Sequence, residues 1–159
     1  MDIDASGWQG PQEPRLAKIF AKAPDLTKTS ASLLFVASDL VARSFAGAIG
    51  RRHDLTLAEW RCMMVLATRP GLANIEVAEA SGMDVMTVSR ALRRLERHGR
   101  LARRADPADN RRVTGSLTAS GLDLYVTVAA SAELLFRELK SQERAQLARY
   151  LQALIASLR

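Results

Sequence analysis

Hydrophobic positions recur at helical spacing along most of the chain. Between residues 28 and 49, Leu33, Val36 and Leu40 stand three or four positions apart, which is the repeat of an amphipathic helix. The same repeat returns from residue 57 to 67 and twice after residue 118. Ahead of residue 28, glycines and prolines interrupt the pattern, so the sequence predicts an N-terminal arm with at most a short helix at residues 15–22.

Polar residues that cap helices divide the middle of the chain into short segments. Thr56 followed by Glu59 has the capping-box spacing, and Pro70-Gly71 ends the helix that it begins. Ser81-Gly82 is a turn signal between two further short helices. The candidate N-cap residues are Thr56, Asn74, Asp84, Thr118 and Ser141. This order predicts a helix-turn-helix that long amphipathic helices flank on both sides.

The last short helix has the most distinctive pattern. Its apolar stripe is Val85, Val88, Leu92 and Leu95, and burial of that stripe turns its other side chains outward. The outward residues are Met86, Thr87, Ser89, Arg90, Arg93, Arg94 and Arg97. After His98-Gly99, residues 101–117 read as a small β-hairpin with a polar loop at its tip.

Charge gives this pattern a chemical meaning. The 159-residue chain has a formal net charge of +6 and a pI of about 10.2. Residues 84–112 hold nine arginines and only four acidic residues, so most of the positive excess lies in the last short helix and the hairpin. A concentrated basic surface attracts polyanions such as nucleic acids.

Other chemistries find little support in the sequence. A single cysteine excludes an internal disulfide, and two histidines offer no metal cluster. No catalytic grouping or phosphate-binding loop is present, so we expect neither an enzyme nor a cofactor protein. Asp39 interrupts the most apolar early stretch, residues 32–42, and no secretory signal is visible, which predicts a cytoplasmic protein without a membrane span.

The first turn of the basic helix has the side chains that read bases. Arginine can pair with guanine, hydroxyls can bond base edges or phosphates, and methionine can pack on a thymine methyl group, so Met86, Thr87, Ser89 and Arg90 are predicted to reach the major groove. Arg93, Arg94 and Arg97 lie farther along, where phosphate contacts are expected. A solvated arginine face is the alternative, and the preceding helix-turn-helix makes it the weaker one. Scarce aromatic residues disfavour an RNA-binding surface.

Six fragments of the sequence form a recognisable series by their order and spacing: 57–61, 77–79, 87–90, 95–99, 106–112 and 116–121. Through these fragments, residues 55–125 resemble the MarR (multiple antibiotic resistance regulator) family of transcriptional regulators. The resemblance implies a mainly α-helical homodimer with a small β-hairpin wing. Its regions would be an N-terminal arm (1–27), a helical dimerisation region (28–54 and 118–159) and a winged helix-turn-helix domain (55–117).

The family also implies roles for the wing and for a ligand. The wing-tip arginine reaches the minor groove, a role that falls on Arg111, with Asp109 orienting the tip and Arg112 as a supporting contact. Members usually repress from inverted-repeat operators in double-stranded DNA. A small aromatic or phenolic effector binds in a cleft between the dimerisation helices and the winged domain, and the regulator then leaves the DNA. Arg100 and Gly115 depart from the usual pattern and predict a less rigid wing.

Several assignments stay open at this point. His53, Trp60 and Arg61 are candidate effector contacts near the junction of the first two helices, with ordinary surface or capping roles as the alternative. Tyr125 and Tyr150 are expected in dimer packing. Cys62 could sense peroxide and replace the ligand switch, although its position favours a buried apolar role. A dimeric adaptor without a DNA role is the remaining alternative.

Overall fold

The computed structural model of the chain describes residues 14–105 and 112–159. Contacts divide the chain into two units, residues 1–39 and 40–159. In the first unit, α1 (Pro14–Lys22) confirms the short helix predicted in the arm, and a turn leads into α2 (Ser30–Phe45). Leu26, Leu33 and Phe35 are exposed there, so this unit keeps an apolar surface that nothing in the described chain covers.

The long helix does not stop at its glycines. It continues from α2 through a π-helical turn, Ala46–Gly50, into α3, Arg51–His53. A Cβ on Gly50 would lie 2.8 Å from the backbone oxygen of Leu55, so this close approach requires glycine. Asp54 then adopts a left-handed conformation (φ 44°) that ends the helix.

Three helices form the helix-turn-helix core. They are α4 (Leu57–Thr68), α5 (Asn74–Ser81) and α6 (Val85–Arg97). The predicted capping box begins α4, since the Thr56 side chain accepts from the Glu59 N–H and Glu59 accepts from the Thr56 N–H. Met63, Leu66, Val77, Leu92 and Leu95 are buried between these helices and form the centre of the core.

The wing is part of a three-stranded sheet. Strands β2 (Leu101–Ala105) and β3 (Val113–Leu117) pair antiparallel, and a short strand β1 (Leu72–Ala73) pairs with the other side of β3. Gly115 does not interrupt β3: it pairs with Leu72 and Arg103, and a Cβ there would meet the Leu101 side chain at 3.4 Å. Glycine at this position therefore lets the Leu101 side chain pack on the strand.

The C-terminal part is helical. Helix α7 (Ala119–Glu133) begins at the predicted cap Thr118, ends in a 3₁₀ turn at Leu134–Phe136, and is followed by α8 (Ser141–Ser157). Along α8 the apolar side chains Tyr150, Leu154 and Ile155 are exposed. This helix therefore presents a second uncovered apolar face.

Two predicted caps are wrong by one residue. Asn74 and Ser141 are the first residues of their helices rather than the N-caps. The N-cap residues are Ala73 and Lys140, and their backbone N–H groups donate to the carboxylates of Glu76 and Glu143 at 2.6 and 2.7 Å. A carboxylate at the third helical position can thus satisfy the N-cap amide without a capping side chain.

The interruption at Asp39 does not keep the helices short of membrane-spanning length. Ser30–His53 and Ala119–Phe136 are long and apolar enough by length and composition to cross a bilayer. The single charge of Asp39 does not lower the hydropathy of the whole helix enough to prevent this. Apolar helices that pack against other protein helices have the same composition, so length and hydropathy do not decide between these environments.

Candidate nucleic-acid interface and effector cleft

Helix α6 has a hydrogen-bonded cap at each end. At its start, the Asp84 carboxylate accepts from the Thr87 N–H at 2.8 Å, as predicted. Hydrogen bonds from the Thr87 side chain and backbone keep the pKa of Asp84 below its ordinary value, so the cap stays ionised at neutral pH. At its end, Gly99 is left-handed (φ 67°), and the Arg100 N–H bonds the Leu95 carbonyl.

One face of α6 is buried, though not over its whole predicted length. Val88, Leu92 and Leu95 are fully buried, and Ala91 joins them. Val85 is 44% exposed and does not belong to this stripe. It lies in the first turn, beyond the end of the packed surface, so its side chain is available to a partner together with that of Met86.

The opposite face carries an arginine row. At 3.6 residues per turn, Met86, Arg90, Arg93 and Arg97 project within about 60° of one another and directly away from the buried stripe. All four are exposed, and Met86 is 62% accessible. Within residues 14–105 and 112–159, the guanidinium groups of this row have no carboxylate partner. We name Arg90, Arg93 and Arg97 the arginine row.

Arg94 does not have the phosphate-binding geometry expected from the sequence. Its Nη1 donates to Glu59 Oε2 at 2.5 Å, and its Nη2 donates to Asp54. Glu59 is fully buried, whereas the Arg94 side chain is 27% exposed. Because Arg94 neutralises a carboxylate inside the core, it ties α6 to the start of α4 rather than pointing to solvent.

The hydroxyls of the first turn are less open than predicted. Thr87 and Ser89 are half-buried, and the Thr87 side chain is bonded to Asp84. They lie beside the arginine row and not within it. Their reach to a bound duplex is therefore shorter than that of Arg90.

The wing residues separate into two groups. Asp109 and Arg111 lie outside the described residues. Arg112 does not project freely, because its Nη2 pairs with the two Glu76 carboxylate oxygens at 2.6 and 2.7 Å. This pair holds the start of β3 against α5.

Arg100 has a structural use that its unusual position did not reveal. Its guanidinium donates to the backbone oxygens of Asp54 and His53 at 2.8 and 2.9 Å. These carbonyls end α3, where a cation is favourable. Arg100 therefore anchors the root of the wing to the end of the long N-terminal helix.

A separate apolar cleft of about 540 Å³ lies between α4 and α7. Its wall includes an aromatic stack in which Trp60 lies between Phe45 and Tyr125, with ring centroids 6.2 and 5.2 Å apart. Phe136 and Leu135 from the 3₁₀ region also line it. A cleft of this size and lining suits a small aromatic molecule.

The three effector candidates from the sequence do not converge on this cleft. Trp60 lines it, but His53 and Arg61 do not. The Arg61 guanidinium donates to the Ser81 carbonyl and so caps the end of α5. Tyr125 packs within the chain on Trp60, while Tyr150 is 65% exposed on α8, so the two tyrosines play different parts.

Cys62 is in the core, where burial raises the pKa of its thiol to about 12, against a smaller opposing effect of the Arg61 charge. The thiolate, and not the thiol, reacts with peroxide. A fully buried thiol that stays protonated at neutral pH is a poor sensor, and the structure therefore weighs against the redox alternative.

Sequence reasoning missed two features of the site. The carboxylates that hold Arg94 gave no signal, because Asp54 and Glu59 lie 40 and 35 residues before it in the chain. Phe45 and Phe136 were overlooked as cleft residues. Their aromatic side chains, on the predicted helices before and after that of Trp60, could have indicated a shared wall.

Comparison with known proteins connects this geometry to a family. A profile of the MarR family matches residues 55–113. An HTH-type transcriptional repressor of Mycobacterium bovis is 35% identical over 95 residues, which is 57% of this chain and 68% of the relative. The homoprotocatechuate degradative operon repressor of Escherichia coli is 30% identical over 105 residues, 66% and 71% of the two chains.

A solved structure has the same fold. BpsR of Bordetella bronchiseptica, whose DNA binding is described as regulated by 6-hydroxynicotinic acid, superposes with a TM-score of 0.74 at 25% identity over 83% of this chain and 96% of its own. The winged helix-turn-helix expected from the sequence is thus confirmed. With its helix-turn-helix, its wing and these relatives, the chain belongs to the MarR family of transcriptional regulators.

Proposed function

We propose that this protein is a cytoplasmic homodimer that represses transcription by binding an inverted-repeat operator in double-stranded DNA, and that a small aromatic effector releases it. The arginine row carries the DNA-binding part of this proposal. Arg90 lies in the N-terminal half of α6, and the N-terminal residues of a recognition helix are the ones that contact base edges in the major groove. Arg93 and Arg97 follow on the same face and would contact phosphates.

Dimerisation accounts for the uncovered apolar surface. Leu33 and Phe35 on α2, and Tyr150 and Ile155 on α8, are exposed in the single chain. Exposed apolar surface of this kind is commonly buried against a second copy, and a two-fold axis would present two recognition helices. Half-sites about one helical turn of DNA apart are then expected.

The effector part rests on the apolar cleft and on the relatives. One relative is named for the homoprotocatechuate operon and one similar structure for 6-hydroxynicotinic acid, which are both aromatic compounds. An effector relieves repression only as far as it binds the DNA-incompetent form of the dimer more tightly. A ligand in the cleft would contact both α4 of the DNA-binding region and α7 of the helical region, and it would therefore favour one arrangement of these two regions.

Fluorescence anisotropy with a promoter fragment and a random duplex tests the DNA-binding role. Arg90→Ala should cost about 1 to 3 kcal/mol on the operator and relax preference at one base pair. Arg149→Ala, which removes an exposed arginine from α8, is the matched control for the loss of charge. Equal losses from both variants, or salt-insensitive binding by the parent protein, would favour the adaptor alternative.

A further inference from the structure

We propose that the effector is an uncharged aromatic molecule, and that the cleft between α4 and α7 discriminates against aromatic carboxylates. The inference rests on the proposed effector role and specifies the ligand that fills this cleft. It differs from what the names of the relatives suggest, because homoprotocatechuate and 6-hydroxynicotinic acid are both carboxylic acids.

The charges around the cleft carry the inference. Among the described residues, the cleft wall contains no lysine, arginine or histidine, and Glu133 is the one ionisable acid in it. A ligand carboxylate would lose its hydration in an apolar cleft and gain no cation in return. Burial of an unpaired charge is strongly unfavourable, so the negative form is selected against.

Four arginines close in sequence to residues of the helical and 3₁₀ segments around the cleft have other partners or line a different cleft. Arg61 is bonded to the Ser81 carbonyl, and Arg144 pairs with Glu133 at 3.1 Å. Arg52 and Arg137 line a different cleft of about 520 Å³. None of these four residues lines the aromatic cleft, so a carboxylate bound there would meet no arginine from the part of the wall that the structure describes.

The aromatic wall still offers polarity suited to a neutral ligand. The Trp60 indole N–H and the Tyr125 hydroxyl have no hydrogen-bond partner within the described part of the chain, and both side chains line the cleft. An indole donates one hydrogen bond, and a phenol donates or accepts. A flat ring bearing a hydroxyl or carbonyl group can stack on the wall and satisfy one of these groups without bringing a charge.

Matched ligands test the proposal. 2-Naphthol and 2-naphthoate share one ring system and differ in charge at pH 7.5. Calorimetric titration of the full-length protein should show 2-naphthol binding at least tenfold more tightly, and the same compound should release the operator at lower concentration. Tighter binding of 2-naphthoate, or no binding of either compound, would overturn the inference.

A charge reversal locates the effect. Glu133→Lys places a cation in the cleft wall and should reduce the preference for 2-naphthol at least fivefold, through tighter binding of 2-naphthoate. Glu138→Lys is the control, because it makes the same charge change at an exposed residue of the other cleft. An equal effect of both variants would show a response to overall charge and overturn the assignment to this cleft.

Operator binding without any ligand is measured first for each variant. Loss of specific operator binding in the parent protein would refute the proposed DNA-binding function itself. Intact operator binding combined with a preference for 2-naphthoate would refute only the neutral-ligand inference. The two failures are therefore distinguishable in one series.

Discussion

Removal of the Arg94 side chain should damage the fold and leave the DNA contact largely unchanged. In Arg94→Ala the fully buried Glu59 carboxylate keeps its bonds from Thr56 but loses its guanidinium partner. Breaking a buried ion pair from one side costs about 3 to 5 kcal/mol. Since the Arg94 side chain is 27% exposed, water can reach part of the site, and we expect about 2 to 3 kcal/mol.

Urea denaturation at one fixed protein concentration measures this loss, because unfolding of the proposed dimer would depend on concentration. A double-mutant cycle with Glu59→Gln and Arg94→Met should give a coupling of at least about 1 kcal/mol between the two residues. The salt dependence of operator binding should stay close to that of the parent. A variant with unchanged stability and a salt slope lower by about 1 would restore Arg94 to a phosphate contact and refute this reasoning.

Three further outcomes are expected. Arg97→Ala should weaken operator and random duplex alike and lower the salt slope by about 1, which anisotropy at several salt concentrations checks; a loss confined to the operator would contradict the phosphate role. Burial raises the pKa of Cys62, so the stability that its neutral thiol contributes is present below pH 9 and is lost as pH rises towards 12. Between these two pH values the free energy of unfolding of the parent protein should fall by about 1.4 kcal/mol per pH unit relative to that of Cys62→Ala. At pH 7, peroxide should change operator binding equally in the two proteins. Gly121→Ala should lower the free energy of unfolding in urea by about 3 kcal/mol, because the added Cβ would lie 2.1 Å from the Arg100 backbone oxygen. A loss below about 1 kcal/mol would show instead that the backbone at Arg100 can shift.

Local signals in the sequence predicted most elements of the fold. The Thr56–Glu59 box, the Asp84 cap and Gly99 act within one helical turn, and the structure has all three where the sequence predicts them. The short strand β1 was missed because two residues, Leu72 and Ala73, carry no alternation, and their pairing depends on β3 some 40 residues later.

The site was predicted less completely, for the same reason. Helical periodicity identified the outward arginines but could not show which of them have partners inside the chain. Arg94 on α6 is paired with Glu59 of α4, and Arg112 just before β3 is paired with Glu76 of α5, whereas Arg90, Arg93 and Arg97 have no carboxylate partner among the described residues. A count of charges along the sequence gives equal weight to both groups, although only the second is open to a polyanion.

The double attachment of the α3–α4 connection has a mechanical consequence. Arg94, inside α6, and Arg100, just after it, both grip Asp54, one through the carboxylate and one through the carbonyl oxygen. Asp54 thus connects the end of the long N-terminal helix to α6 through two hydrogen bonds. A tilt of α3 would therefore move α6 with it and displace the arginine row, because both ends of this connection are bonded to α6 or to the residue group that follows it.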